Sequence, residues 1–309
     1  MRVELSMVQA FNAHSDGVSC IVISPIDAYT LATASHDNTV CIWTLSKDGK
    51  TATRRHQLTG HTRDVASIAW SSNGLFLVSG STDNTIRKWS LSTGECELVI
   101  QASQYWVTAV ALSPDNKHIV SSGFFGSIYA WDASTGNKIF GPLLDHASNA
   151  KTVVYSPDGR LILSGSTDKT IIAWDSETGT KLFGPITVDP DVNSMSFHPS
   201  GKTFVTGSNN GAITTWNTST FQPIREDQHT RDSWVVYVQH SLDGRFILST
   251  TLNGILRVWD AERGMAVSKP VENRCGVGVA TLSPDMQWVV SGDIDGMVQI
   301  WQVYEVDAL

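Results

Sequence analysis

Residues 156–175 read Ser-Pro-Asp-Gly-Arg-Leu-Ile-Leu-Ser-Gly-Ser-Thr-Asp-Lys-Thr-Ile-Ile-Ala-Trp-Asp. Two short runs of β-type residues, 161–166 and 170–174, stand in this stretch, each preceded by a turn rich in Pro, Asp, Gly or Thr. Along the chain such turns arrive about every ten residues, which is too often for a helix of about 12 residues with a 3.6-residue period. The pattern therefore predicts short antiparallel strands.

The same pattern recurs along the whole chain. A tryptophan ends an apolar run at seven places spaced 42 to 46 residues apart, namely Trp43, Trp89, Trp131, Trp174, Trp216, Trp259 and Trp301. Each unit reads as three short strands followed by a fourth, so we expect seven four-stranded sheets. Because one such sheet cannot bury both faces, neighbouring sheets must pack radially. The sequence predicts an all-β protein, a seven-bladed β-propeller in which residues 1–309 form a single domain.

The repeated units resemble the WD-repeat β-propeller family, whose repeats of about 40–45 residues end in Trp-Asp after a Gly-His start. The Trp-Asp pair stands at Trp131-Asp132, Trp174-Asp175 and Trp259-Asp260. The linkers 135–142 and 178–185 are similar to those of fungal WD-repeat proteins. The tail after Trp301 is shorter than a fourth strand and its linker. We therefore expect residues 3–11 to complete the seventh blade beside residues 297–303, the clasp typical of this family.

The resemblance also implies a buried network in each unit that joins a His, a Ser or Thr on the second strand, an Asp in the next turn and the Trp indole. Buried polar groups persist only when they satisfy one another. Complete sets are His14, Ser35, Asp37 and Trp43; His61, Ser81, Asp83 and Trp89; and His146, Ser166, Asp168 and Trp174. The sixth unit offers His229, whereas the third has Ser103 and Phe125 at the His and Asp positions. We expect Phe125 to be buried in the resulting gap.

The His-Ser-Asp sets invite comparison with a hydrolase triad. A catalytic triad has no reason to recur three times in series, so we interpret the sets as structural and expect no catalytic residue. The histidines outside these sets and the sixth unit fall at unrelated repeat positions, and we expect them to face solvent: His36, His56, His118, His198 and His240.

Composition excludes several classes of ligand. The formal net charge is −8 and the charged residues are scattered, so no basic patch indicates nucleic acid. No run approaches the roughly 20 apolar residues that span a bilayer, which favours a cytosolic or nuclear protein without a membrane partner. Cys20, Cys41, Cys96 and Cys275 form no Cys-x-x-Cys pair, so neither a metal site nor a cofactor is predicted.

Partner binding should fall to the loops, because the strands are committed to packing. Two loop sets share one rim and carry large apolar residues beside charged or polar ones: Tyr105, Trp106, Phe124, Trp234, Leu252 and Ile294, with His36, Arg63 and Asp64. Such a mixture is typical of an interface for a protein or peptide, and we expect a scaffold that is monomeric by itself. The alternatives are that the aromatic residues are lids over their blades, that they bind a small molecule or glycan, or that an enzyme site lies in the channel. The sequence fits either an intact small propeller or a piece of a longer protein.

Overall fold

The computed structural model describes residues 2–102, 105–228, 233–272 and 276–306, so Ser103, His229 and Cys275 lie outside the described residues. Within these ranges the chain forms seven four-stranded antiparallel sheets and a single turn of 3-10 helix at Phe124–Gly126. The first strands of neighbouring sheets contact one another in a ring, and the ring closes between the first and seventh sheets. The predicted seven-bladed β-propeller is confirmed. None of the helical structure in the described ranges is long and apolar enough to cross a membrane.

The strands are numbered in chain order. Blade 1 holds β2 (Val18–Ile23), β3 (Thr30–Ser35), β4 (Val40–Leu45) and β5 (Ala52–Leu58); blade 2 holds β6 (Val65–Trp70), β7 (Phe76–Ser81), β8 (Thr85–Ser90) and β9 (Cys96–Gln101). Blade 3 holds β10 (Val107–Leu112), β11 (His118–Gly123), β12 (Ile128–Asp132) and β13 (Lys138–Leu143); blade 4 holds β14 (Ala150–Tyr155), β15 (Leu161–Ser166), β16 (Thr170–Asp175) and β17 (Lys181–Thr187). Blade 5 holds β18 (Val192–Phe197), β19 (Thr203–Ser208), β20 (Ala212–Asn217) and β21 (Pro223–Gln228); blade 6 holds β22 (Val235–His240), β23 (Phe246–Thr251), β24 (Ile255–Asp260) and β25 (Val271–Glu272). Blade 7 holds β26 (Val277–Leu282), β27 (Trp288–Asp293), β28 (Met297–Val306) and β1 (Arg2–Asn12).

Packing between blades explains the Ser-Gly-Ser sequence of β7 and β15. Both faces of β15 are covered, and its last five residues are buried. A Cβ atom added to Gly165 would lie 2.7 Å from Cγ1 of Val192, on the first strand of the next blade. One added to Gly80 would lie 2.6 Å from Cγ1 of Val107 in the same way. Glycine at this position therefore allows the close approach of neighbouring blades, since interiors leave no room for an extra methyl group.

The N-terminal strand closes the ring, as the sequence predicts. β1 pairs antiparallel with β28 from Arg2 opposite Val306 to Asn12 opposite Met297. Val3 is 1% exposed and packs in the core cluster that contains Trp301. Its backbone N–H also donates to the carbonyl of Val267, so the strand ties blade 7 to blade 6.

The sequence-based expectation that His240 faces solvent is wrong. This residue ends β22 and is 7% exposed, at a position where blades 2, 4 and 5 end their first strands with Trp70, Tyr155 and Phe197. Its Nδ1 atom has no hydrogen-bond partner, and its ring meets that of His198 edge-on with 5.4 Å between centroids. Burial, and secondarily the charge of His198, lowers the pKa of His240 to about 4.

Removal of residues 1–11 should leave β28 without its outer neighbour. An exposed apolar sheet edge pairs readily with other chains, so the truncated protein should aggregate and melt at a lower temperature. Size-exclusion chromatography and a thermal scan measure both effects. A truncated chain that stays monomeric with the full-length melting temperature would show that β1 does not hold the ring closed.

His240→Phe should make stability less sensitive to pH between about 4 and 6.5. The unfolded chain takes up this proton near its ordinary pKa of 6.5, whereas the folded protein resists until about 4, so protonation favours unfolding as the pH falls through this window. The loss is up to about 1.4 kcal/mol per pH unit. Denaturant unfolding at pH 5 and pH 7 should give a smaller difference in the variant, while His118→Phe, at a partly exposed site, should keep the wild-type difference. Equal differences in wild type and His240→Phe would contradict the assignment.

Candidate functional site

The three complete His-Asp-Trp sets meet inside their blades. In blade 2, Nδ1 of His61 lies 2.9 Å from the Asp83 carboxylate and Nε2 lies 2.7 Å from Oγ of Ser79. The indole N–H of Trp89 donates to the same hydroxyl at 2.8 Å. Equivalent contacts join His14, Asp37, Thr33 and Trp43 in blade 1, and His146, Asp168, Ser164 and Trp174 in blade 4.

The hydroxyl predicted from the sequence is the wrong one in each set. The contact to His and Trp comes from Thr33, Ser79 and Ser164, two residues before the predicted Ser35, Ser81 and Ser166. Alternate residues of a strand share a face, so the sequence alone cannot decide which of two hydroxyls two residues apart contacts the histidine and the tryptophan. Pairing of Leu77 with Trp89 sets the register that selects the earlier residue. The predicted serines instead hold the Asp-bearing turn: Oγ of Ser81, for example, donates to the carbonyl of Arg63 and accepts from the Asp83 N–H.

Hydrogen-bond direction fixes the histidine tautomer. The ionised Asp83 carboxylate can only accept, so Nδ1 of His61 carries the ring proton and donates to it. In the neutral ring Nε2 then accepts from the Ser79 hydroxyl, which itself accepts from the Trp89 indole N–H. Burial alone would raise the pKa of Asp83, but the bonds from His61 and Thr85 outweigh it and hold that pKa far below its ordinary value.

These sets have triad-like contacts but no access for a substrate. The hydroxyls of Thr33, Ser79 and Ser164 belong to residues that are 0% exposed, and each already accepts an indole proton. Burial lowers the pKa of His14 and His146, although the neighbouring aspartates oppose the shift. We therefore assign the sets to blade stability rather than to chemistry.

The predicted aromatic residues of blade 3 form one connected cluster on the rim. Ring centroids are 5.0 Å apart for Trp106 and Phe124, 4.9 Å for Phe124 and Phe125, and 4.9 Å for Phe125 and Tyr105. The N–H of Phe124 donates to the carbonyl of Trp106, which holds the two loops together. A cavity of about 470 Å³ beside the cluster is also lined by Arg63.

The expectation that Phe125 is buried is wrong. Its side chain is 58% exposed, more than that of Trp106 or Tyr105. The turn at Phe124–Gly126 places Phe125 at φ 65°, and this backbone directs the ring outward rather than into the gap left by the absent aspartate. The N–H of Phe125 donates to Oδ1 of Asn149 in the adjoining loop of blade 4.

A second cavity, of about 370 Å³, lies at the mouth of the central channel. Trp106, Trp234 and Leu252 line it, so the structure brings these three predicted residues together from blades 3 and 6. The Leu252 N–H donates to the carbonyl of Trp234. Trp106 and Thr82 line both cavities, and Trp106 is the member of the rim cluster that also reaches the channel mouth.

Three other predicted residues lie toward blades 7, 1 and 2. Nδ1 of His36 lies 3.0 Å from the Asp64 carboxylate, and both side chains are exposed, so this contact contributes little stability. Ile294 is 64% exposed, and its backbone approaches Gly17 beside the His36 ring. None of the three lines either of the two cavities described above.

Sequence reasoning missed a set of residues that the first strands present to the channel. In every blade the pairing of the first two strands skips one residue, a β-bulge that turns that side chain out of the ladder. The skipped residues, here called the channel ring, are Ser19, Ala66, Thr108, Lys151, Asn193, Val236 and Gly278. Five of them line the channel-mouth cavity. Alignment of the repeats on the residue that opens each first strand would have found them.

Comparison with known families identifies the class of protein. The model of the family described as WD domain, G-beta repeat matches residues 5–44, 52–90, 94–132, 139–175, 181–217, 221–260 and 272–302. The chain therefore belongs to the WD-repeat family, as the repeated text predicts.

Individual relatives match only parts of the chain. The WD repeat, SAM and U-box domain-containing protein 1 of Danio rerio is 36% identical over 129 residues, which are 41% of this chain and 26% of that protein. The small ribosomal subunit protein RACK1 of Brassica napus is 42% identical over 82 residues, 26% of this chain and 25% of that protein. A WD repeat-containing protein 26 homolog of Arabidopsis thaliana is 29% identical over 124 residues, 40% of this chain and 21% of that protein. The matches thus span about a quarter or less of the length of these relatives.

Ser79→Ala should lower the free energy of unfolding by about 1–3 kcal/mol, because it leaves Nε2 of His61 and the Trp89 indole N–H unpaired in a buried place. Ser121→Ala is a matched control, since the described contact of its hydroxyl is to the Trp131 indole alone. The control should cost less. Chemical denaturation of both variants measures the difference, and equal losses would mean that the histidine bond adds no stability.

Proposed function

We propose that this protein is a non-catalytic scaffold that binds a protein or peptide partner at the rim and channel mouth around Trp106. The observation that carries the proposal is the connected cluster of four aromatic side chains beside two cavities. Aromatic residues at pockets are the usual anchors of protein interfaces. Neighbouring Arg63 supplies a polar edge of the kind that surrounds such anchors.

The exposure of the aromatic residues favours anchors over lids. A ring that serves as a lid buries itself against its own blade, whereas Trp106 is 44%, Trp234 47% and Tyr105 50% exposed. Leaving this much apolar surface in water is unfavourable by roughly 25 cal/mol per Å² and is explained if a partner covers it.

Backbone strain at Phe125 supports the same interpretation. A bulky residue in the left-handed region costs about 1–2 kcal/mol, and glycine would relieve it. Strain of this kind tends to occur at binding sites, where it positions a side chain. In this loop it presents the Phe125 ring to solvent beside Tyr105.

The family and its members are consistent with a binding role. WD-repeat propellers generally act as non-enzymatic scaffolds. One relative is named for WD repeats together with SAM and U-box domains, and another is named as a small ribosomal subunit protein, so both names describe part of a larger arrangement. We extend to this chain only the role of binding a macromolecule, and we place it in the cytosol or nucleus.

Trp106→Ala and Phe124→Ala should each weaken partner capture roughly thirtyfold, because loss of a central aromatic anchor typically costs about 2 kcal/mol or more. The immobilised chain captures partners from cell extract, and quantitative mass spectrometry compares the variants with wild type. Thermal midpoints should change little, since both rings stand partly outside the fold.

Tyr304→Ala removes an aromatic ring of similar exposure, 46%, from blade 7 and should leave capture unchanged. If Trp106→Ala instead lowered the thermal midpoint clearly and retained capture, the rings would be lids and the partner would dock elsewhere.

A further inference from the structure

The polar members of the channel ring differ in what they bind. Ser19, Thr108 and Asn193 each donate to a backbone carbonyl of the following blade, those of Val65, Ala150 and Val235. These side chains thus use their hydrogen bonds to hold neighbouring blades together. Lys151 is the exception, because its Nζ donates to the side-chain oxygen of Asn193 at 2.8 Å and to no backbone carbonyl in the described residues.

Lys151 is also the charged member of the ring. Trp106, Trp234 and Leu252 line the same cavity, and no other charged residue of the described chain does. No carboxylate of the described residues lies within 4.0 Å of its Nζ. Hydrogen bonds connect Lys151 to the Asp191 carboxylate only indirectly, through Asn193 and Asn209. Burial lowers the pKa of Lys151, and the negative charge of Asp191 only partly opposes this shift. The protein thus offsets only part of the cost of burying this positive charge.

We propose that Lys151 receives the carboxylate of an Asp or Glu side chain that a partner peptide inserts between Trp106 and Trp234. This inference rests on the proposed function and specifies the chemistry of the partner. An ammonium group has three N–H donors, of which Asn193 takes one, so two remain for a carboxylate. Apolar walls reduce the local dielectric constant and strengthen the attraction.

The charge of the site favours a carboxylate over a phosphate. A phosphorylated residue carries about −1.5 to −2 charges and is usually recognised by a cluster of arginines. The channel mouth offers one lysine and no arginine among its described lining residues. Arg63 lines the other cavity. One cation matched with one anion is therefore the simplest complement.

A random peptide library displayed on phage provides the probe. Selection on the immobilised full chain should enrich Asp or Glu at one position next to apolar residues. The tightest peptide should lose about tenfold to a hundredfold in affinity, measured by isothermal titration calorimetry, when its acid is replaced by the corresponding amide or when the protein carries Lys151→Met. Lys151→Glu should recover binding to the same peptide with Lys at that position.

Lys181→Met is the matched control, because it removes one positive charge from the exposed outer strand β17. It should bind the selected peptide as wild type does. Circular dichroism checks that each variant is folded, and recovery by the charge exchange shows that the pocket is intact in Lys151→Glu.

The outcomes separate this inference from the proposed function. Peptides that Trp106→Ala no longer binds, but that lack an acidic position or bind equally to Lys151→Met, would overturn the role of Lys151 and leave the rim as a binding site. Selection that yields no peptide dependent on Trp106 would overturn both. Preference for a phosphopeptide over the carboxylate peptide by the wild-type chain would replace the carboxylate with a phosphate and contradict the inference.

Discussion

The hydrogen bond from the indole of each of the seven repeat tryptophans to a hydroxyl ten residues earlier recurs in every blade. It joins Trp43 to Thr33, Trp89 to Ser79, Trp131 to Ser121, Trp174 to Ser164, Trp216 to Thr206, Trp259 to Ser249 and Trp301 to Ser291. The bond crosses from the third strand to the second and forms only in one register. Because a shift of one residue would turn the side chains to the opposite face, this contact specifies the pairing on which packing between blades depends. The histidine and aspartate of blades 1, 2 and 4 are added to that common contact.

Blade 3 keeps the common contact and gives up the rest of the network. Trp131 still donates to Ser121, so the strands keep their register. The position of the turn aspartate holds Phe125, and the turn becomes a strained 3-10 segment that exposes aromatic rings. Residues that break the usual sequence preferences of a fold are expected at functional sites. Here Phe125 at the aspartate position changes the loop and leaves the strands of the sheet unchanged. The rim can therefore vary while the ring of blades stays the same.

The sequence predicts the ring well because its evidence is repeated seven times. Strand number, blade number and the closing strand are all readable from text that recurs every 42 to 46 residues. The prediction of the network serine is wrong because Ser79 and Ser81 lie on one face, and only the pairing register separates them. The predictions for Phe125 and His240 are wrong because exposure depends on backbone direction and on neighbouring blades, which a single repeat does not reveal. Of the rim residues, Trp106, Trp234 and Leu252 converge, but the bulge that turns Lys151 into the channel has no signature in an alternating pattern.

Rigidity explains how a propeller can bind through few side chains. Neighbouring blades are joined by hydrogen bonds from the side chains of Ser19, Thr108 and Asn193 to the backbone of the next blade. Glycines in the second strands also let the blades approach closely. A surface held in this way loses little conformational freedom on binding, so the loss of conformational entropy occurs mainly in the partner. A small number of anchors then suffices for affinity. In the proposed binding at the channel mouth, selectivity comes from groups whose donors are not all bound within the ring. Among the described lining residues this group is the Lys151 ammonium, of whose three N–H donors Asn193 accepts one.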